Sequence, residues 1–187
     1  MKNIAIFASG NGTNFQALVD NESINQLAKI KILVCDNPKA TVIERAIERN
    51  ISVFTFKAKD YDSKKDYEDE ILKKVKNCDY IFLAGYMRIL SPYFLENFKG
   101  KVVNIHPSLL PDYKGKDAIK RAYEAKEEYI GVSIHFVNEK VDGGKIIRQK
   151  KLKVDYNKSL AEITEEIHKI EHQLYTETAR KILMEEI

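Results

Sequence analysis

Asn104 and His106 are the residues of this chain whose types and spacing point most directly at chemistry. They close the run Val102-Val103-Asn104-Ile105-His106, and Pro107-Ser108-Leu109-Leu110-Pro111 follows. Proline pushes the residue before it toward extended backbone, so His106 is held where a strand stops and a loop begins. Strand ends are where open α/β sheets place their ligands. Two positions apart on an extended backbone, the amide and the imidazole project to one face, setting a neutral hydrogen-bonding group beside a titratable base. Taken alone, the segment fits a capped strand end with an incidental histidine as well as a catalytic pair.

A second candidate is the turn Ser9-Gly10-Asn11-Gly12-Thr13-Asn14, between an apolar run and a helically spaced set, Phe15, Leu18 and Val19. Strand, glycine-rich turn and helix in that order aim backbone N–H groups at an anion, and a phosphate is the natural guest. The turn is neither a full dinucleotide fingerprint nor a Walker loop, lacking the third spaced glycine and the Gly-Lys-Ser/Thr ending. The bland alternative is a tight turn that lets the first helix pack closely on the sheet. Asp142-Gly143-Gly144 is, by itself, ordinary turn chemistry. His168 and His172 stand one helical turn apart near Glu165 and Glu171, but no third ligand motif accompanies them, so a solvated helix face is the expectation rather than a metal site.

The elements that must position these groups follow from periodicity. Apolar runs at residues 3–8, 31–35, 51–56, 79–84 and 101–105 read as strands, and helical patterns separate them. Such alternation predicts a doubly wound, mostly parallel α/β sheet with helices on both faces. Ser91-Pro92 marks a helix start with proline at the first position, and residues 117–125 read as a short helix. Residues 130–137 alternate, with Ile130, Val132, Ile134 and Phe136 on one face and His135, expected to be structural, on the other. With residues 145–154 they form an added antiparallel C-terminal hairpin. Ser159 and Glu162 make a capping box, and Leu160, Ile163, Ile167, Ile170 and Leu174 carry a long C-terminal helix.

The 187 residues fit one domain, without repeats or low-complexity segments. Lys and Arg number 31 against 28 acidic residues, a net charge of +3, which points away from nucleic acid and toward small anionic ligands. No apolar run spans a bilayer, and the apolar start is broken by Ser-Gly-Asn-Gly, unlike a signal peptide; a cytoplasmic protein without a membrane partner is expected. Isolated Cys35 and Cys78 fit buried free thiols in a reducing compartment.

Together the motifs resemble the glycinamide ribonucleotide formyltransferases of purine synthesis. The resemblance rests on Ser9 to Asn14, Asp36-Asn37-Pro38 with Glu44-Arg45-Ala46, Leu83 to Leu90, Val102 to Pro111, His135-Phe136-Val137 through Asp142-Gly143-Gly144, and Glu171-His172 before Leu174-Tyr175. It implies a single formyltransferase-type domain, with residues 1–100 as a phosphate-binding Rossmann-like half and 101–187 as the catalytic and folate-binding half. It implies transfer of a formyl group from 10-formyltetrahydrofolate, a co-substrate, to phosphoribosylglycinamide, with no metal, by a monomer or homodimer.

Carried over residue by residue, the resemblance makes Asn104, His106 and Asp142 catalytic. Asn104 and a protonated His106 would donate to the oxygen of a tetrahedral intermediate, and Asp142 would favour the protonated imidazole and take up the amine proton. The ribonucleotide would lie on Gly12, Thr13 and Asn14 and on His168, Lys169, Ile170 and Glu171. The folate would lie on Lys64, on Met87, Arg88, Ile89 and Leu90, on Asn104, and on the loop Asn138, Glu139, Lys140, Val141 and Asp142. Lys64 stands where relatives often carry arginine, Lys114 where they often carry proline, and Thr176 where proline is usual. Sugar-nucleotide formyltransferases, formyltetrahydrofolate hydrolases and a non-catalytic folate- or nucleotide-binding module are the competing readings. The last is disfavoured by the presence of all three of Asn104, His106 and Asp142.

Overall fold

The computed structural model describes residues 1–187. The chain opens with β1 (Lys2–Phe7), α1 (Thr13–Val19), α2 (Glu22–Leu27) and β2 (Ala28–Cys35). Next come α3 (Val42–Glu48), β3 (Ser52–Thr55), a 3-10 turn (Ala58–Asp60), α4 (Lys64–Val75) and β4 (Tyr80–Leu83). The second half adds α5 (Pro92–Asn97), β5 (Lys101–His106), α6 (Ala118–Glu124), β6 (Tyr129–Phe136), β7 (Ile146–Lys153) and α7 (Leu160–Leu183). The seven strands form one sheet in the order β3-β2-β1-β4-β5-β6-β7. β1 to β5 pair in parallel, while β6 is antiparallel to both neighbours.

The continuous apolar runs of the parallel strands are explained by burial on both faces. Ile4, Ile6, Leu33, Phe82, Val103, Ile105 and Val132 join α1, α2, α3, α6 and α7 in one core. Ala5, Phe7, Ile32, Val34, Ile81, Leu83 and Val102 join α4 and α5 in another. α7 begins at the expected capping box on Ser159 and Glu162. It is locked to the sheet by fully buried Tyr175, whose hydroxyl donates to the Leu83 carbonyl at 2.8 Å and the Val103 carbonyl at 3.2 Å. Ser91 caps α5 with Pro92 in its first turn. α2 goes beyond the periodicity: it is capped by Asn21, which accepts the Ile24 N–H, and it buries Ile24 alone, too little to leave a pattern. No helix is long and apolar enough to cross a membrane, and Cys35 and Cys78 are buried and unpaired.

β2 and β4 flank β1, so the chain leaves β1 toward one edge of the sheet and later returns on its other side. That reversal opens a crevice at the carboxyl ends of β1 and β4. The residues after β1 start the glycine-rich turn, those after β4 are Ala84 to Leu90, and β5 lies next door.

Candidate active site

Strand parity puts Asn104 and His106 on the face that carries Val102, the α4–α5 side of the sheet. Register then selects their partners: Asn104 lies opposite His135 and His106 opposite Ser133. The loop after His106 folds back over Ser133 and His106. Ser133 Oγ donates to the Ser108 carbonyl at 2.6 Å and accepts the Leu110 N–H at 3.0 Å. Gln149 Nε2 donates to the Leu110 carbonyl at 2.9 Å and to Ser133 Oγ at 2.8 Å. Gly131 leaves room for Leu109, since a Cβ there would come within 2.5 Å of Leu109 Cδ2.

Asp142 arrives from the β6–β7 loop with a left-handed backbone, φ 47°. That loop closes because Gly144 has no side chain; a Cβ would stand 1.7 Å from the Phe136 carbonyl oxygen. The carboxylate accepts the Gly115 N–H at 2.9 Å and faces Asn104 Nδ2 at 3.5 Å and His106 Nδ1 at 3.5 Å. Burial disfavours its charge, but the Gly115 N–H, together with the charge that His135 and His106 carry when protonated, outweighs that and holds the carboxyl below its ordinary range.

The hydrogen-bond partners assign the histidine tautomers. His106 Nε2 lies 2.9 Å from the Tyr113 carbonyl, which can only accept, so Nε2 carries hydrogen and Nδ1 is left facing Asp142. His135 Nδ1 lies 2.8 Å from the Phe136 carbonyl and therefore carries its hydrogen. His135 Nε2 is thus the acceptor for Asn104 Nδ2 at 3.2 Å, and it also stands 3.6 Å from Asp142 Oδ1. One Asn104 N–H is fixed on His135, and the second remains for Asp142 or a guest oxygen.

Around the glycine-rich turn, Gly10, Asn11 and Thr13 are exposed and Gly12 is buried with φ 76°. A Cβ on Gly12 would come within 2.4 Å of Val42 Cγ2, so close packing is one purpose of this turn. Asn14 stands beside Glu171, which is 6% exposed. Burial, partly offset by Asn14, raises the Glu171 carboxyl to about 7. The Asn14 Oδ1 is buried without a hydrogen-bond partner. His168 Nε2 is 3.8 Å from Glu171 Oε2, Lys169 is exposed and Ile170 is half-buried. No group of three or more His, Cys, Asp or Glu residues is arranged to hold a metal.

On the other side of the crevice, Met87, Ile89 and Val141 are exposed apolar residues, 74%, 59% and 47% respectively, fit to cover an apolar ring. Leu90 is core, so only its backbone faces outward chemistry. Lys64 Nζ donates to the Ile89 carbonyl and props the segment. The Arg88 guanidinium is engaged within the protein, its Nε 2.9 Å from Asp36 Oδ2 and its Cζ 5.8 Å from the Tyr67 ring centroid. Asn138 turns its own loop, accepting the Lys140 N–H and donating to the Gly143 carbonyl; Glu139 and Lys140 are exposed.

The fold thus brings Asn104, His106 and Asp142 together as neighbours, and Asn14 with Glu171. Within residues 168–171, Lys169 meets neither Asn14 nor Glu171 in any hydrogen bond or ion pair. His135, expected from its alternation to be structural, proves to be part of the polar cluster: it is a buried histidine on the face shared with Asn104. The available signal was its parity with Ser133 on a strand beside β5.

The chain belongs to the formyl transferase family, whose sequence profile matches residues 2–179. It is 41% identical over 186 residues to the phosphoribosylglycinamide formyltransferase of Bacillus subtilis (strain 168), covering 98% of this chain and 95% of that one. Against the phosphoribosylglycinamide formyltransferase of Escherichia coli (strain K12), identity is 37%, with 92% and 83% covered. The crystal structure of glycinamide ribonucleotide transformylase 1 from Geobacillus kaustophilus superposes with a TM-score of 0.93 at 47% identity, covering 98% of this chain and 99% of that one. Within the family, the chain stands with the phosphoribosylglycinamide formyltransferases. Membership implies a folate-type formyl donor.

Proposed function

We propose that the protein transfers the formyl group of 10-formyltetrahydrofolate to the glycinamide amine of 5'-phosphoribosylglycinamide, in de novo purine biosynthesis. The observation that carries this is the Asp142 carboxylate lying 3.5 Å from both Asn104 Nδ2 and His106 Nδ1, with all three at the end of the crevice. The amine lone pair attacks the formyl carbon and the carbonyl electron pair moves onto oxygen. Asn104 Nδ2–H, held by His135, and His106 protonated at Nδ1 donate to that oxygen. The amine proton passes to Asp142, directly or through water. The oxygen's electron pair then re-forms the carbonyl as the carbon–N10 bond breaks, N10 takes up the proton that Asp142 received, and tetrahydrofolate leaves. Direct attack uses no covalent enzyme intermediate and asks for no metal.

In this reading Gly12, Thr13 and Asn14 cradle the phosphate while Glu171, with His168 to Ile170, holds the ribose and glycinamide end. Met87 to Leu90, Lys64 and Asn138 to Asp142 hold the folate; the Arg88 side chain serves as a strut while its backbone meets the pterin. Both halves of the chain contribute to each substrate. The protein acts in the cytoplasm on small molecules, without nucleic acid or membrane, as a monomer or homodimer. Mixing the purified protein with 10-formyltetrahydrofolate and either phosphoribosylglycinamide or water, and following tetrahydrofolate release, tests the proposal. Release should require the amine; release in water alone would make the protein a hydrolase, and none at all would reduce it to a binding module.

A further inference from the structure

Asp36 follows β2 and has no part in the mechanism above, yet it sits at the point where the two substrate segments meet. Its side chain is only 9% exposed. Ser9 Oγ donates to Asp36 Oδ1, and the same hydroxyl accepts the Met87 N–H at 2.9 Å. The Ser9 N–H donates to the Gly85 carbonyl at 3.1 Å. Arg88 Nε lies 2.9 Å from Asp36 Oδ2. One largely buried carboxylate is therefore hydrogen-bonded to the first residue of the turn offered to the phosphate, reaches Met87 through that residue's hydroxyl, and pairs by charge, without an aligned hydrogen bond, with Arg88 of the segment offered to the folate.

Building on the function proposed above, we propose that Asp36 is a positioning residue that couples the two substrate subsites, so that occupancy of either tightens binding at the other. Met87 N–H, Ser9 hydroxyl and Asp36 carboxylate form a continuous donor–acceptor chain, and a charged terminus strengthens and orients such a chain. A phosphate on the turn immobilises the peptide that begins at Ser9. A pterin on Met87 to Leu90 immobilises the other end of the same chain. Whichever ligand arrives second meets a network already ordered, and linkage requires the effect to be equal in both directions.

The test uses a pair that cannot react, tetrahydrofolate and phosphoribosylglycinamide, titrated calorimetrically into the full-length protein. Each dissociation constant is measured alone and with the other ligand saturating. In the unaltered protein each ligand should tighten the other by the same factor, about fivefold or more. Asp36→Asn should bring that factor to about one, while kcat with both substrates saturating stays within about twofold. Ser9→Ala severs the link to Met87 and leaves the Asp36–Arg88 pair, so it carries the test if Asp36→Asn does not fold. The coupling is overturned if the unaltered protein shows none, or if folded variants bind both ligands more weakly with the factor unchanged, as a merely structural role would give. An unaltered protein that transfers formyl groups yet shows a factor of one overturns the coupling alone; one that performs no transfer overturns the proposed function.

Discussion

Glu171→Gln isolates the cost of a buried carboxylate. Glu171 is 6% exposed, and its carboxyl moves from an ordinary 4.5 to about 7 because burial penalises the charge more than Asn14 relieves it. That separation of about 2.5 pH units corresponds to roughly 3–4 kcal/mol, at roughly 1.4 kcal/mol for each unit. Because the folded value is the higher one, the folded protein binds more protons than the unfolded chain between these limits. The contribution to stability is full below pH 4.5 and is lost as pH rises through 7. Most of it, roughly 2–3 kcal/mol, disappears between roughly pH 5 and 8. The substituted glutamine cannot ionise, so the stability of the variant relative to the unaltered protein should climb by about that amount over the same range. Urea unfolding of both proteins at several pH values across this range reads the difference directly. Two curves that run parallel would refute the burial cost assigned to Glu171.

Asp142→Asn should lower kcat by about 10²–10⁴, the usual worth of a positioned proton acceptor, with circular dichroism and folate affinity little changed; near-normal turnover would remove Asp142 from the mechanism. Gly144→Ala drives a Cβ to within 1.7 Å of the Phe136 carbonyl oxygen, so the loop must shift, costing about 1–3 kcal/mol in unfolding experiments. It should also lower turnover by roughly 10², because displacing a catalytic group by an ångström has that scale of effect; unchanged kinetics would show that the loop tolerates the strain without moving Asp142. Tyr175→Phe removes the hydroxyl that donates to Leu83 and Val103 and should cost about 1–2 kcal/mol of stability in denaturant titration.

Much of the fold was legible because it is written locally. Continuous apolar runs mark strands buried on both faces, and Ser159 with Glu162 marks the start of α7. The two-residue spacing of Asn104 and His106 sets a shared face wherever the strand lies. The candidate site was legible only in part: the strand end and the glycine turn each mark a special backbone, while Asp142-Gly143-Gly144 by itself reads as ordinary turn chemistry. α2 was not, because one buried isoleucine leaves no periodicity.

The sequence by itself determined which residues are chemically able and which faces they occupy, since those properties depend on residue type and on helix and strand periods. Only the tertiary structure decided who meets whom. Register across β5 and β6 set His135 against Asn104, turning a histidine with no local distinction into the group that orients the amide. Loop closure at Gly144 carried Asp142 from turn residue to partner of His106 and Asn104. The strand order around β1 put Ser9, Asp36 and Arg88 into one cluster, although 27 positions separate Ser9 from Asp36 and Arg88 is farther still. Such meetings depend on distances across the sheet, and no short-range pattern in the chain encodes them.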